Sequence, residues 1–340
     1  MALPVKISVI IPAWNAGATL GHCLDSLKEQ SRKPFEILLV DDGSTDDTRR
    51  LAEDYQVKVL STGGRMGPAT ARNMGAEAAA GEVLLFLDSD VTVPGDLLER
   101  VAGHFSDDAV WAVQTLYTPL CPATDIISRY QNYYYWYSLN RMPGENSATF
   151  ATWCAAVRRN RFLEVGGFNV RIPEPTVEDE ELGYTIADLG GRIIMDKSLK
   201  VTHLTSYDLS QFTSRRLRMA RAQAKSGWRQ VKGRLLARYM NVRESGTHHS
   251  RWVVLSILLV LFAQVCIAAG LAAWDPALLL AALAGLLLAL VCHWGFLASA
   301  AGKAGKGVLL PFTLMCLYDM AVLGWGIVQG TIQFAMGRKY

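Results

Sequence analysis

Two aspartates separated by one residue directly follow an apolar run in this sequence. Asp88 and Asp90, with Ser89 between them, end the stretch EVLLFLDSD at 82–90. Paired carboxylates at the end of a strand suit a hard divalent cation, Mg²⁺ or Mn²⁺, which proteins hold through one or two carboxylates together with substrate phosphates and water. The competing interpretation is a simple turn, because Asp and Ser are common where strands end. On this pattern alone both interpretations stay open.

A second group of acids comes later in the chain. Glu178 and Asp179 begin a run of four consecutive acids within VEDEELGYTIADLGG at 177–191. Repulsion between neighbouring carboxylates raises their proton affinity, which suits a general base. The alternative is structural, because acids are favoured in the first turn of any helix by the helix dipole.

The elements that would position these acids alternate between strand and helix. Apolar runs at 7–12, 36–46, 57–62 and 82–90 alternate with segments of helical spacing at 19–30, 47–55 and 69–80. Strands that are apolar throughout and separated by helices predict an α/β fold with a mostly parallel, Rossmann-like sheet covered on both faces. Ligands of such sheets bind beyond the carboxyl ends of the strands, so the residues at 12–15, 41–44 and 88–90 are expected to share one crevice.

Two phosphate-binding signatures are missing from the sequence. Neither GxxxxGK[ST] nor a GxGxxG following the first strand occurs. A P-loop nucleotidase and a dinucleotide-binding domain are therefore not supported, and the phosphates of a nucleotide would need another positive partner.

Five segments, in order and spacing, resemble the motifs of family 2 glycosyltransferases. They are ISVIIPAWN (7–15), FEILLVDDGSTDDT (35–48), ATARNMGAEAAAGEVLLFLDSD (69–90), VGGFN (165–169) and VEDEELGYTIADLGGRI (177–193). The resemblance covers about residues 5 to 205. It implies the fold known as GT-A and an inverting enzyme that uses a nucleotide-sugar donor.

The resemblance implies where the nucleotide would bind. Pro12, Trp14 and Asp42 match positions that line the nucleoside pocket, with Asp42 accepting the N–H of a uracil-like base. Arg72 matches an arginine near the base and the diphosphate. Asp88, followed by Ser89, matches the acid on the ribose side. Arg65 departs from the pattern, since many relatives have Asn there.

The resemblance also implies which residues would carry the chemistry. Asp90 matches the acid that binds the metal, and His203 stands where some relatives have a further metal ligand; a structural hydrogen bond of His203 is equally open. Asp179 matches the catalytic base, and Glu178 beside it is a candidate for contacts with the diphosphate or the acceptor. A base that acts through the acceptor hydroxyl, with no enzyme nucleophile, gives one displacement and hence inversion.

A strongly basic segment follows the resembling region. Residues 209–243 contain ten Lys or Arg and no acid, and apolar residues recur among them at helical intervals. This pattern predicts basic amphipathic helices at 208–250 that lie on an anionic leaflet. Arg215, Arg216 and Arg218 are candidates to contact the departing diphosphate. The Q-x-x-R-W motif of processive relatives is absent, which argues against a polymer synthase.

The last part of the sequence is almost free of charge. Segments 252–274, 276–300 and 308–332 each reach the roughly 20 apolar residues that a membrane-spanning helix needs. We therefore predict a glycosyltransferase domain at 1–207, interface helices at 208–250 and a membrane domain at 251–340. A membrane chain with a net charge of only +3 makes nucleic acid an improbable partner.

The predicted location is the cytoplasmic (inner) membrane, with a multi-pass anchor and a cytosolic catalytic domain. The N-terminus lacks a signal-peptide pattern, and Lys303 and Lys306 place the second link between spans in the cytosol by the positive-inside rule. With three spans, Arg338 and Lys339 then fall on the opposite side, which leaves the last span open. The six cysteines form no C-x-x-C pair and indicate reduced apolar fillers.

The sequence thus predicts transfer of a sugar, with a UDP-sugar as the expected donor, to a lipid or a lipid-linked acceptor. Six aromatic residues between 130 and 137 suit either the bilayer interface or stacking against sugar rings, although a helix face in the core explains half of them equally well. Two other functions stay open. One is a nucleotide-sugar-binding scaffold without turnover, and the other is a metal-dependent nucleotidyltransferase, which would release pyrophosphate.

Overall fold

The computed structural model describes residues 5–142, 150–172, 175–231 and 251–340. The chain divides into two compact units. The sheet unit consists of the described parts of Met1–Pro122 and Asn140–Thr205, and the helical unit consists of those of Ala123–Leu139 and Ser206–Tyr340.

The sheet unit is built on one mixed sheet of eight strands in the order β3-β2-β1-β4-β7-β6-β8-β5. The strands are β1 (Ile7–Ala13), β2 (Glu36–Asp41), β3 (Lys58–Ser61), β4 (Val83–Leu87), β5 (Val91–Thr92), β6 (Val110–Tyr117), β7 (Cys154–Arg158) and β8 (Arg192–His203). The first four are mutually parallel, as predicted. The sheet then changes direction, because β7 runs antiparallel to both β4 and β6.

The helices of the described chain are α1 (Leu20–Lys28), α2 (Thr48–Asp54), α3 (Pro68–Ala78), α4 (Leu97–His104), α5 (Ile126–Asn140), α6 (Arg159–Glu164), α7 (Glu178–Asp188), α8 (Leu209–Val231), α9 (Arg251–Ala273), α10 (Pro276–Cys292), α11 (Trp294–Ala304) and α12 (Leu309–Ala335). The predicted alternation of four strands with three helices over the first 90 residues is confirmed, because α1, α2 and α3 fall between the parallel strands.

The core of the sheet unit explains why β4 ends where it does. Every residue of β4 is buried, and the ring of Phe86 lies 5.1 Å from that of Phe168 and 5.3 Å from that of Phe162. Strand pairing stops at Leu87, opposite Cys154. Asp88 therefore is the first polar residue beyond a fully apolar strand, at the carboxyl edge of the sheet.

The helical unit contains two helices that are long and apolar enough to cross a membrane, at Arg251–Ala273 and Lys306–Ala335. The first and third predicted spans are therefore continuous helices. The second predicted span consists of α10 and α11, which are bent by 56° at His293, so the number of candidate spans in the described residues is two, or three if this bent pair counts as one.

The basic segment forms α8 up to residue 231, and residues 232–250 lie outside the described residues. Within the helical unit α8 packs closely along α12. A Cβ added to Gly326 would lie 2.5 Å from the Cβ of Ala220, and one added to Gly330 would lie 2.5 Å from the carbonyl oxygen of Arg221. Glycine is needed at both positions because the two backbones approach so closely.

Candidate active site

The carboxyl ends of β1 and β2 bring the residues predicted for the nucleoside pocket together. The backbone N–H of Asp42 donates to the carbonyl oxygen of Ala13 over 2.8 Å, so Trp14 and Asp42 follow two adjacent strands at the same edge. Pro12 lies within β1 opposite Val40 of β2. The parallel topology therefore places three predicted residues side by side.

The side chain of Asp42 holds the loop that follows β3. The residue is only 5% exposed. Its carboxylate accepts hydrogen bonds from the backbone N–H groups of Met66 and Gly67 at 2.8 and 2.9 Å, and from the hydroxyl of Thr62 at 2.8 Å. A carboxylate has about four acceptor positions, so this arrangement leaves room for one further N–H donor.

The anchored loop delivers Arg65 onto Trp14. Trp14 is 45% exposed, and the guanidinium carbon of Arg65 lies 3.6 Å from the centre of its ring. A planar cation above an indole face is a favourable contact. The residue that departs from the family pattern is thus in direct contact with the predicted nucleoside pocket.

Arg72 connects the two groups of acids. Its guanidinium, 4% exposed, donates to Asp88 Oδ1 at 2.9 Å and to Glu178 Oε1 at 3.0 Å, and the Glu178 side chain is 3% exposed. Burial would lower the pKa of Arg72, but the two carboxylates raise it above its usual value, so the arginine stays charged. The bridge joins the end of β4 to the start of α7, which is where Asp179 lies.

Asp90 and His203 form a pair at the edge where β5 meets β8. Asp90 Oδ2 lies 3.2 Å from His203 Nε2 and accepts a hydrogen bond from the hydroxyl of Thr205 at 2.5 Å. The register of β5 and β8 fixes this proximity, because Val91 pairs with His203. Ser89 is half-buried between Asp88 and Asp90.

The Asp90–His203 pair fits the donor set of a divalent cation. One carboxylate oxygen and one imidazole nitrogen would be two protein ligands, and phosphate oxygens and water commonly supply the rest. Among the described residues, no group of three or more His, Cys, Asp or Glu side chains is arranged to hold a metal by itself. A metal here would therefore depend on the substrate for part of its coordination.

Asp179 is half-buried in the first turn of α7. Its Oδ1 accepts the N–H of Glu180 at 2.8 Å, and its Oδ2 lies 3.5 Å from the backbone N–H of Thr152. Burial and the neighbouring Glu178 and Glu180 raise its pKa well above that of an ordinary carboxyl, and Arg72 partly opposes this shift. A carboxylate with a raised pKa is a stronger base when ionised, which fits the predicted role.

Two cysteines near the strand ends are poor nucleophiles. Burial raises the pKa of the Cys154 thiol to about 12 and raises that of Cys23 as well. Both thiols therefore stay protonated near neutral pH, which argues against a covalent cysteine intermediate.

Arg215, Arg216 and Arg218 lie on α8 in the helical unit. The guanidinium of Arg216 is buried and binds Asp319 of α12 through two hydrogen bonds, one of 2.7 Å from Nε, and the hydroxyl of Tyr130 donates to the same carboxylate at 3.1 Å. The predicted contact of these three arginines with a diphosphate stays a prediction.

Sequence reasoning missed several residues of this region. Thr62, Thr152 and Trp153 each hydrogen-bond to one of the predicted site residues, and Thr205 contacts Asp90. The only local signal was the cluster of glycines at 63, 64 and 67, which indicates a tight loop near Thr62. The other contacts join residues distant in sequence, and no short-range pattern reports them.

Comparison with known proteins agrees with the predicted family. Residues 8–166 match the family model described as "Glycosyl transferase family 2". An uncharacterized glycosyltransferase of Haemophilus influenzae is 40% identical over 105 residues, which are 29% of this chain and 42% of that protein. The O-antigen chain rhamnosyltransferase RfbN of Salmonella typhimurium is 27% identical over 222 residues, which are 60% of this chain and 68% of that protein.

A solved structure resembles almost the whole chain. It is the mannosyltransferase PcManGT from Pyrobaculum calidifontis in complex with GDP-Man and Mn²⁺, with a TM-score of 0.58, 17% identity, and coverage of 99% of this chain and 89% of that one. At this identity the likeness concerns the fold. Residues 8–166 therefore carry a family 2 glycosyltransferase domain, and the likeness to the solved structure supports a GT-A-like fold.

Proposed function

We propose that this protein is a membrane-anchored, inverting glycosyltransferase that moves a sugar from a nucleotide-sugar donor to a lipid or lipid-linked acceptor. The observation that carries the proposal is the bridge from Asp88 through Arg72 to Glu178, because it holds the strand-end acids and the start of α7 at one site. Leaving group and base must lie on opposite sides of the sugar in a single displacement, and we assign these two sides to the two ends of the bridge.

The donor end of the site is proposed at the edge of β1 and β2. Trp14 and Arg65 offer flat surfaces to a nucleobase, and Asp42 can accept one more N–H. Asp88 is 32% exposed and lies beside this edge, where it can reach a ribose hydroxyl. A nucleoside diphosphate sugar bound in this way directs its phosphates toward Asp90.

The residues proposed to hold a metal are Asp90 and His203. When bound, Mg²⁺ or Mn²⁺ would stabilise the negative charge that develops on the departing diphosphate as a Lewis acid. Carboxylate and water oxygens suit both Mg²⁺ and Mn²⁺, and the similar mannosyltransferase structure contains Mn²⁺.

Asp179 is proposed as the base that takes the proton of the acceptor hydroxyl. Its raised pKa makes that transfer favourable once the carboxyl is ionised. Arg72 stays charged beside it. Its positive charge favours the ionised forms of Asp88, Glu178 and Asp179 and so opposes their protonation.

The lipid acceptor and the membrane location rest on the apolar helices. Two candidate spans, or three with the bent pair, provide the anchor. The lysines at 303 and 306 favour a cytosolic link and hence a cytosolic catalytic domain. The named activity of the Salmonella relative, transfer to an O-antigen chain, is a further reason to propose a lipid-linked saccharide as one acceptor class.

The experiment uses the full chain, purified in detergent and returned to lipid vesicles. Incubation with a panel of labelled nucleotide sugars, with Mn²⁺, Mg²⁺ or EDTA, is followed by extraction of lipid and detection of label. We expect labelled lipid and a free nucleoside diphosphate, and Asp90→Asn and Asp179→Asn should each abolish them. Removing a transition-state electrostatic contact typically costs 10²- to 10³-fold in rate.

Asp108→Asn is the matched control, because Asp108 is fully exposed and lies outside the site. Its activity should equal that of the wild type. Release of pyrophosphate from a nucleoside triphosphate instead would identify a nucleotidyltransferase, and full activity of Asp90→Asn would remove the proposed metal role.

A further inference from the structure

The segment that precedes β7 touches both chemical ends of the proposed site. The backbone N–H of Thr152 points to Asp179 Oδ2 at 3.5 Å, and the carbonyl oxygen of Trp153 accepts the N–H of Asp88 at 3.0 Å. The N–H of Ala151 is held at 3.0 Å by the buried amide oxygen of Gln114. Three successive residues are thus fixed between the proposed base and the strand-end acids.

The position of this segment constrains where the sugar can lie. In a single displacement the acceptor oxygen and the leaving oxygen are in line through the anomeric carbon. The base is therefore on one side of the sugar ring and the diphosphate on the other. A segment that hydrogen-bonds to Asp179 with one residue and to Asp88 with the next therefore lies beside both acids between which the sugar is proposed to bind.

The side chain of Trp153 is held in one orientation. Its half-buried indole stacks on Tyr117, with 4.5 Å between ring centres and 25° between ring planes. Tyr117 in turn lies 5.2 Å from the ring of His203, and His203 contacts Asp90. A column of three rings therefore leads from the middle of the site to the proposed metal ligands.

An aromatic ring close to these three acids offers a kind of surface that the acids lack. Asp88, Asp90 and Asp179 suit phosphate-bound metal, hydroxyls and protons, but none of them offers an apolar surface. One face of a pyranose carries mainly C–H groups, and such a face packs well against an aromatic ring, which also excludes water from the reacting bond. Trp153 is an aromatic residue whose backbone contacts the acid-bearing turn directly.

We propose that the indole of Trp153 is the platform on which the transferred hexopyranose rests, so that its anomeric carbon faces Asp179. This inference rests on the proposed function. Trp153 is a specificity-determining residue for the sugar part of the donor, whereas Trp14 belongs to its nucleoside part. The two tryptophans therefore recognise different halves of one molecule.

The test compares two ligands of the same protein. Calorimetric titration of the full chain in detergent gives Kd for a nucleotide sugar and for its nucleoside diphosphate. The ligand pairs are UDP-glucose with UDP, GDP-mannose with GDP, and dTDP-rhamnose with dTDP. The variants are then measured with the pair that the wild type binds. Trp153→Ala should weaken the nucleotide sugar roughly 2- to 12-fold, the range expected for one aromatic contact. The nucleoside diphosphate should bind as tightly as it does to the wild type.

Trp14→Ala is the matched control, because it should weaken the nucleotide sugar and the nucleoside diphosphate by the same factor. Trp153→Phe keeps a ring, so it should retain most of the affinity and supports the proposal even where Trp153→Ala folds poorly. The rate of transfer by Trp153→Phe should fall through KM more than through kcat.

Three results would overturn the platform. Equal losses for both ligands in Trp153→Ala and Trp153→Phe would assign the indole to folding alone, and no loss for either ligand would remove it from the site. A wild type that binds no nucleotide sugar would overturn the proposed function as well, and that outcome is recognised before any variant is made.

Discussion

Replacement of Arg72 by Met tests whether the bridge between the two acid groups holds the sheet unit together. The substitution removes the charge and keeps most of the apolar stem. Glu178, 3% exposed, would lose its only charged partner in the described contacts, while Asp88, 32% exposed, can be rehydrated. Breaking a buried ion pair by removing one partner costs about 3–5 kcal/mol, because an uncompensated charge stays in the interior.

This cost corresponds to a large change in thermal stability. For a domain of 150–250 residues, 1 kcal/mol lowers Tm by roughly 2–4 °C. Arg72→Met should therefore lower Tm by roughly 6–20 °C. The measurement is differential scanning fluorimetry of the full chain in detergent. The transition of the sheet unit is recognised as the one that a bound nucleoside diphosphate raises.

Two further variants make the result specific. Arg72→Met combined with Glu178→Gln should lose less than the sum of the single changes, with a coupling of roughly 0.5–3 kcal/mol, since both charges of the pair are gone. Arg49→Met is the matched control, because its pair with Glu53 is exposed (57% and 62%) and of the i,i+4 type on α2. Such a pair contributes about 0.3–0.5 kcal/mol. If Arg72→Met costs no more than Arg49→Met, or if the double variant is additive, the bridge does not stabilise the site as argued.

Three other predictions follow from the charged groups. Because the pKa of Asp179 is raised and a base must be ionised, transfer by the full chain should fall on the acid side at a pH above the usual carboxyl pKa of about 4, which a pH–rate profile would show. Burial tends to raise the pKa of Asp196, but hydrogen bonds from Ser198 and His104 lower it to about 2. Stability that Asp196 contributes is therefore present above about pH 4 and lost as the pH falls toward about 2, and Asp196→Asn should flatten the dependence of Tm on pH in that window. Arg216→Leu should destabilise the helical unit more than Arg216→Leu with Asp319→Leu, because the single change leaves a buried carboxylate without its cationic partner; equal Tm values for the two would contradict this.

The parallel half of the sheet could be predicted because its signal is local. Each of its first two strands and β4 is a short apolar run, and helical spacing separates them, so direction and order follow from general rules on crossovers. The antiparallel strand β7 carries no such signal. Cys154–Arg158 pairs with both β4 and β6, and its small residues resemble those of any buried segment. The reversal of the sheet is set by these long-range pairings.

The same distinction applies to the site. Asp42, Asp88 and Asp90 were recognisable because strand ends of a parallel sheet meet at one edge. Arg72 was expected near the diphosphate, but its partner Glu178 is 106 residues away, and only the folded chain shows that it joins the two acid groups. Trp153 had no signal of its own, because its proposed role rests on one backbone contact with Asp88 and one ring stack with Tyr117.

Whether the apolar helix α12 crosses a membrane depends on its packing against the basic helix α8. Its length and hydropathy allow it to cross a membrane, but α8 runs beside it from the Thr213–Tyr318 hydrogen bond to the Trp228–Thr331 hydrogen bond. A single Arg at the bilayer centre costs about 2.5–3.5 kcal/mol on insertion scales, and α8 carries several basic residues, of which Arg216 is neutralised by Asp319. We therefore expect α12 to lie in the headgroup region along its seam with α8, which leaves α9 and the bent pair as the spans of the proposed anchor. Long basic side chains and Trp228 are favoured in the headgroup region. The ion pair of Arg216 with Asp319 holds α8 against α12 at that depth.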